Sequence, residues 1–132
     1  WQKGLSFTGT DDSGYTLPLG GKKSVGGNED GLLPMEMFLI GLAGCTGMDV
    51  ISILAKMRQE VTNFEVKIHA NRVENHPKIF SDIMIEYIVT GKNLDPKLVD
   101  KAVTLSETTY CPGQAILNKT AEIDHKITIL EA

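Results

Sequence analysis

Cysteine is scarce: the 132 residues hold two, Cys45 and Cys111, and no CxxC pair. This excludes a disulfide-stapled scaffold and a thioredoxin-type motif, and it suits a reducing compartment. Histidine is also sparse. His69, His76 and His125 show no paired ligand spacing, so each reads as a surface or turn residue and no metal site is expected. Positive charge is in deficit, with 13 Lys and Arg against 17 Asp and Glu for a net charge of −4. A nucleic-acid binder normally shows the opposite balance. No uninterrupted apolar run reaches the roughly 18 residues of a membrane span. No signal-peptide pattern is visible either, so a cytoplasmic protein without a membrane partner is expected. The loop Gly20-Gly21-Lys22-Lys23 lacks the strand–loop–helix setting of a phosphate-binding loop, and no Ser-His-Asp arrangement stands out.

What is present fits one globular domain over residues 1–132, with 42% hydrophobic and 23% charged residues. Leu5 and Phe7, then Tyr15, Leu17 and Leu19, alternate with polar residues and predict two short strands around the turn formers Gly9 to Gly14. Gly20 to Gly31 holds five glycines and no apolar face, and reads as a mobile loop. Leu32 to Arg58 is the dominant helical signal. Pro34 suits the first turn, Glu36 favours the positive end of the helix dipole, and Lys56 and Arg58 favour the other end. From Met35 to Val50 the pattern is apolar almost all round, which predicts a helix buried on most sides. Gly41, Gly44 and Gly47 each weaken it by up to about 1 kcal/mol. Close approach of another backbone, from this chain or a second subunit, would offset that.

Val61 to Glu74 and Lys78 to Thr90 predict two long strands joined by a turn at Glu74 to Pro77. Asp95 and Pro96 read as the N-cap and first residue of a further helix. A short helix follows Pro112, and Ile123, Ile127 and Ile129 form a last strand. The order is β-β-α-β-β-α-α-β, an α+β pattern with mostly antiparallel strands.

The chemistry rests on the two cysteines. Cys45 lies in mid-helix, where no helix terminus helps its thiolate, and Asp49 one turn later opposes ionisation. On local sequence alone the leading reading is a buried, inert thiol. Cys111 precedes Pro112, so it can cap the short helix, where the dipole favours a thiolate; it is expected to be the more acidic of the two. Whether the two meet is not decided by their spacing.

The run Leu33-Pro34-Met35-Glu36-Met37-Phe38, then Gly41-Leu42-Ala43-Gly44-Cys45-Thr46, then Asp49-Val50 and Ile53-Leu54 to Lys56-Met57-Arg58, resembles the signature helix of the OsmC/Ohr family of osmotically induced and organic-hydroperoxide-resistance proteins. Tyr110-Cys111 before a short apolar helix fits the same family. The resemblance covers nearly the whole chain and is closest to the OsmC-like subgroup. It implies an OsmC-like fold: an intertwined homodimer whose antiparallel sheets wrap long central helices, with sites at the subunit interface. It also implies a cofactor-free peroxidase in oxidative stress defence. Cys45 would attack a small-molecule organic hydroperoxide, Cys111 would resolve the sulfenic acid as a disulfide, and a dithiol reductant, lipoyl-type among the options, would reopen it.

Two departures bear on this. The well-known peroxidases pair an N-terminal-region Arg with an early-helix Glu, and here no Arg precedes Arg58. Lys22 and Lys23 are the substitute cations expected at the substrate end of the site, although Lys lacks the planar fork of Arg. Glu36, the candidate third catalytic residue, is one position off the family's Glu, where Met35 stands. Nine residues from Cys45 at 100° each is about 900°, so the two face opposite sides of a straight helix. Glu36 therefore reads equally as a helix-start charge. Two other readings stay open: an OsmC-like protein that binds or relays a small sulfur compound or apolar ligand without peroxidase turnover, and a structural dimer with inert cysteines.

Overall fold

The computed structural model describes residues 1–132. The chain divides into two compact units, Trp1–Ile40 and Gly41–Ala132. In the first, strands β1 (Phe7–Thr10) and β2 (Thr16–Leu19) pair antiparallel, with Phe7 opposite Leu19. The turn between them is closed by Asp11, whose carboxylate accepts from the Tyr15 N–H at 2.9 Å.

The glycine-rich stretch that follows is held by backbone hydrogen bonds. It forms a single 3-10 turn at Lys23–Val25, and Leu32 then bridges back to Leu19 in parallel. The Gly20 N–H donates to the Leu32 carbonyl and the Leu32 N–H to the Pro18 carbonyl, each at 3.0 Å. Its glycines serve close backbone approach. A Cβ on Gly27 would collide with the Gly21 carbonyl, and one on Gly31 would lie 2.6 Å from the Pro18 backbone. The Ser6 hydroxyl donates to the Asp30 carboxylate at 2.6 Å and fixes the end of the loop.

Helix α1 (Pro34–Lys56) starts at the predicted proline, carries Glu36 in its first turn and ends on Lys56. Beyond Ile40, one stripe of it is buried: Leu42, Thr46, Val50 and Leu54, at helical spacing. The rest is not. Met48 is 74% exposed, and Ile51 is also exposed. The expectation of a helix buried on most sides therefore fails within a single chain. By length and apolar composition alone the helix could also cross a membrane, although Glu36, Thr46 and Asp49 interrupt its apolar runs. Thr46 and Asp49 are hydrogen-bonded into the protein's own fold, as described below.

The second unit is built on a three-stranded sheet in the order β3-β4-β5: β3 (Glu60–Arg72), β4 (Phe80–Lys92) and β5 (Glu122–Glu131). Strands β3 and β4 form the predicted antiparallel pair, with Ile68 opposite Ile85. Strand β5 departs from the antiparallel expectation and joins β4 in parallel, with Tyr87 opposite Ile127. The reason is the connection. Residues 93–121 return the chain across the sheet through two helices, the kind of crossover a parallel neighbour requires. Ile83, Ile85, Tyr87 and Val89 of the central strand point to one buried face, while Met84 points outward.

Helix α2 (Pro96–Leu105) is capped as predicted: the Asp95 side chain accepts from the Lys97 N–H, and Pro96 is the first residue. It buries Val99, Ala102 and Val103. It then loosens into a π-helical turn, Ser106–Tyr110, which ends at Cys111. Helix α3 (Pro112–Leu117) follows.

Candidate active site

The structure brings the two cysteines together. Cys45 sits on α1, half-buried, and Cys111 is the buried N-cap of α3. The two thiols are neighbours, near enough for Cys45 to raise the Cys111 pKa. Gly113 keeps the space between them small. A Cβ there would lie 3.5 Å from Cys45 Cβ and 3.6 Å from Cys111 Sγ, an ordinary contact distance. Both thiols are free.

Their relative acidity corrects the sequence expectation. Cys111 does accept a hydrogen bond at the start of α3, from the Gln114 N–H at 3.4 Å. Burial outweighs it: desolvation pushes the Cys111 thiol up to about 11, and the Cys45 thiol beside it adds to the rise. A six-residue helix offers few aligned peptide dipoles, whereas near-complete removal from water penalises the thiolate outright.

A buried polar cluster adjoins the thiols. The Thr46 hydroxyl meets the Tyr87 hydroxyl at 2.7 Å and the Ser106 hydroxyl at 2.8 Å. The Ser106 hydroxyl in turn donates to the Asp49 carboxylate at 3.0 Å. The Gln114 side-chain amide donates to both Thr46 Oγ1 and the Tyr87 oxygen, each at 3.4 Å. No fully buried side-chain polar atom lacks a partner. Desolvation holds the Tyr87 phenol well above its ordinary value, so it acts as a hydrogen-bonding hydroxyl. Phe64 stacks on the Tyr87 ring with centroids 6.5 Å apart.

The π-turn that delivers Cys111 is tied down a second time. Glu107 pairs with His125 Nδ1 on β5 at 2.7 Å, so the exposed His125 of the sequence expectation also carries an ion pair. Burial raises the Glu107 carboxyl, and His125 opposes that rise. Asp49, Ser52, Ile53, Lys56, Leu105 and Tyr110 line an open groove of about 340 Å³ on this side of α1.

Sequence reasoning missed Thr46, Tyr87, Ser106 and Gln114 as a group. One signal was available: the alternation of β4 places Tyr87 inward, and a phenol in a core needs a partner. Ser106 and Gln114 carry no sequence signal. The remaining candidates lie in the first unit. Lys22 and Lys23 are exposed beside the 3-10 turn, and neither side chain forms an ion pair there. Glu36 is exposed in the first turn of α1, as a helix-start charge would be. No cluster of His, Cys, Asp and Glu suited to a metal ion is formed.

Comparison with known proteins agrees with this architecture. The family profile described as OsmC-like protein matches residues 26–126. Protein YhfA of Escherichia coli K12 is 37% identical over 132 residues, all of this chain and 96% of that protein. The crystal structure of a hypothetical protein from Aquifex aeolicus is 29% identical with a TM-score of 0.84, covering 97% of this chain and 89% of that one. An organic hydroperoxide resistance protein from Legionella pneumophila shares the fold, with a TM-score of 0.70 at 14% identity over 96% of this chain and 99% of its own. The signature helix, the paired thiols and the profile match lead to one conclusion: this chain belongs to the OsmC-like family.

Proposed function

We propose that this protein is a cytoplasmic, thiol-dependent peroxidase that reduces organic hydroperoxides, and the observation that carries the reading is the proximity of Cys45 and Cys111 around Gly113. The half-buried Cys45 is the thiol open to a small substrate, while Cys111 is 3% exposed. The Cys45 thiolate attacks the terminal oxygen of the hydroperoxide. An S–O bond forms, the O–O bond breaks, and the alcohol leaves after taking up a proton. Cys45 is now a sulfenic acid, oxidised by two electrons. Cys111 Sγ then attacks the Cys45 sulfur; the S–S bond forms, the S–O bond breaks, and the departing hydroxide takes the Cys111 proton and leaves as water. A dithiol reductant reopens the disulfide by exchange and becomes a disulfide itself. Keeping Cys111 neutral suits this order, because a protonated resolving thiol does not compete for the peroxide.

The working unit in this reading is a homodimer. The outer side of α1 offers Met48 and Ile51 to water, and a Cβ added at Gly41 or Gly44 would find open space. Two such helices can approach closely at the glycines, which offsets the helix propensity they cost. A second copy is the occupant with matching chemistry, since the same apolar, glycine-bearing stripe is self-complementary about a two-fold axis.

Consumption of cumene hydroperoxide with dithiothreitol as reductant tests the reading. Turnover that is lost in Cys45→Ser and exceeds turnover of hydrogen peroxide is expected. Equal, slow oxidation of the parent and Cys45→Ser would overturn it.

A further inference from the structure

The hydroxyl cluster beside the thiols has a direction, and Asp49 sets it. A carboxylate only accepts hydrogen bonds, so the Ser106 proton must point to Asp49 Oδ2. The Ser106 oxygen is then free to accept the Thr46 proton. Thr46 Oγ1 in turn accepts from the Tyr87 hydroxyl and from the Gln114 amide. The chain runs one way, from Tyr87 through Thr46 and Ser106 to Asp49, with every donor matched. Reversing it would turn the Ser106 proton onto Thr46 and the Thr46 proton onto Tyr87. The Tyr87 proton would then be left without any of these acceptors, in a core where an unmet donor is costly.

Gln114 is the link to the thiol. Its side-chain amide is held by Thr46 and Tyr87, and its backbone N–H donates to Cys111 Sγ. Gln114 is 4% exposed, so its side chain has little other room. Ser106 is the first residue of the π-turn that ends on Cys111, and the Cys111 N–H donates back to the Ser106 carbonyl at 2.8 Å. The chain therefore grips Cys111 from both sides, at Ser106 before it and Gln114 after it.

We infer that Asp49 is a positioning residue for the resolving thiol: through Ser106, Thr46 and Gln114 it fixes the 106–114 segment so that Cys111 faces Cys45. The inference builds on the two-cysteine reading above and adds a residue that touches neither substrate nor sulfur. An asparagine at 49 can present either its oxygen or its amide to Ser106, so the direction of the chain is no longer enforced. Cys45 belongs to none of these hydrogen bonds, so closure should slow while Cys45 keeps its reactivity, which a merely structural lesion would not produce.

The test uses Asp49→Asn and Ser106→Ala in the otherwise intact protein. Closure of the Cys45–Cys111 disulfide is timed after diamide, an oxidant that needs no peroxidase activity. Cys45 alkylation by iodoacetamide is measured in parallel. For Asp49→Asn we expect closure at least fivefold slower and Cys45 alkylation unchanged or faster. Ser106→Ala should slow closure to a similar degree. Parent-like closure in both variants, or slowing of closure and alkylation together, would overturn the inference. Failure of the parent itself to close with diamide would overturn it as well. Closure with diamide but not with hydroperoxide would reject the peroxidase reading and leave the positioning role standing.

Discussion

The Cys111 thiol should titrate far above neutrality, and this is measurable in the Cys45→Ser protein. Burial is the leading cause of the rise from 9.0 to about 11, and the Gln114 N–H only partly opposes it. That rise corresponds to about 3 kcal/mol in favour of the neutral thiol and lowers its thiolate fraction at pH 7 about a hundredfold. The assay is the rate of Cys111 alkylation between pH 7 and 11.5, read by intact mass. Restricted access lowers the amplitude at every pH, so the position of the plateau carries the result. The rate should climb about tenfold per pH unit through pH 9 and level only above it, somewhat short of the parent's 11 because the Cys45 contribution is gone. The same shift sets the sign of the stability change. The folded-state value lies above the unfolded one, so the contribution is complete below about 9 and is lost as pH rises through about 11. The urea midpoint should therefore fall across that window, and fall less in Cys111→Ala. A plateau at 9 or below would refute the reasoning that burial outweighs the helix start.

Tyr87→Phe removes the first hydroxyl of the buried chain and leaves the Gln114 amide short of an acceptor; a loss of about 1–3 kcal/mol in urea unfolding is expected. Met48→Glu places a charge on the outer side of α1, where the single chain tolerates it; sedimentation should show a folded monomer in place of the dimer proposed for the parent. Lys22→Ala and Lys23→Ala check the sequence expectation of a substitute cation: slower Cys45 alkylation than in the parent is the outcome that expectation requires. Profiles that overlay the parent would remove both lysines from the site.

Long elements with one strong pattern were legible from the chain. The α1 signal, the β3–β4 alternation and the Asp95-Pro96 cap all reflect local preferences that the fold respects. The parallel pairing of β5 was not legible. Ile123, Ile127 and Ile129 show which side is apolar, but the neighbour is chosen by the 93–121 crossover. The hydrogen bonds of the glycine loop were not legible for a related reason. Glycine permits disorder and close backbone contact alike, and only the Gly20–Leu32 and Leu32–Pro18 hydrogen bonds distinguish them. At the site, both cysteines were identifiable as residues, yet their proximity depends on the π-turn at Ser106–Tyr110, which has no sequence rule. The Cys111 misjudgement came from weighing the helix start, which is local, without burial, which is not. The Glu107–His125 pair joins residues 18 apart in sequence through the tertiary fold, beyond any local pattern.

The most direct test of the two-cysteine account is peptide mapping after a single turnover. Fully reduced protein is mixed with one equivalent of cumene hydroperoxide, quenched with an alkylating agent and digested. The account predicts one linked peptide pair, Cys45 to Cys111 within one chain, formed within the mixing time of a manual experiment. In Cys111→Ser, a Cys45 sulfenic acid trapped by dimedone is expected instead. Recovery of both cysteines as alkylated free thiols, with the hydroperoxide unconsumed, would contradict it.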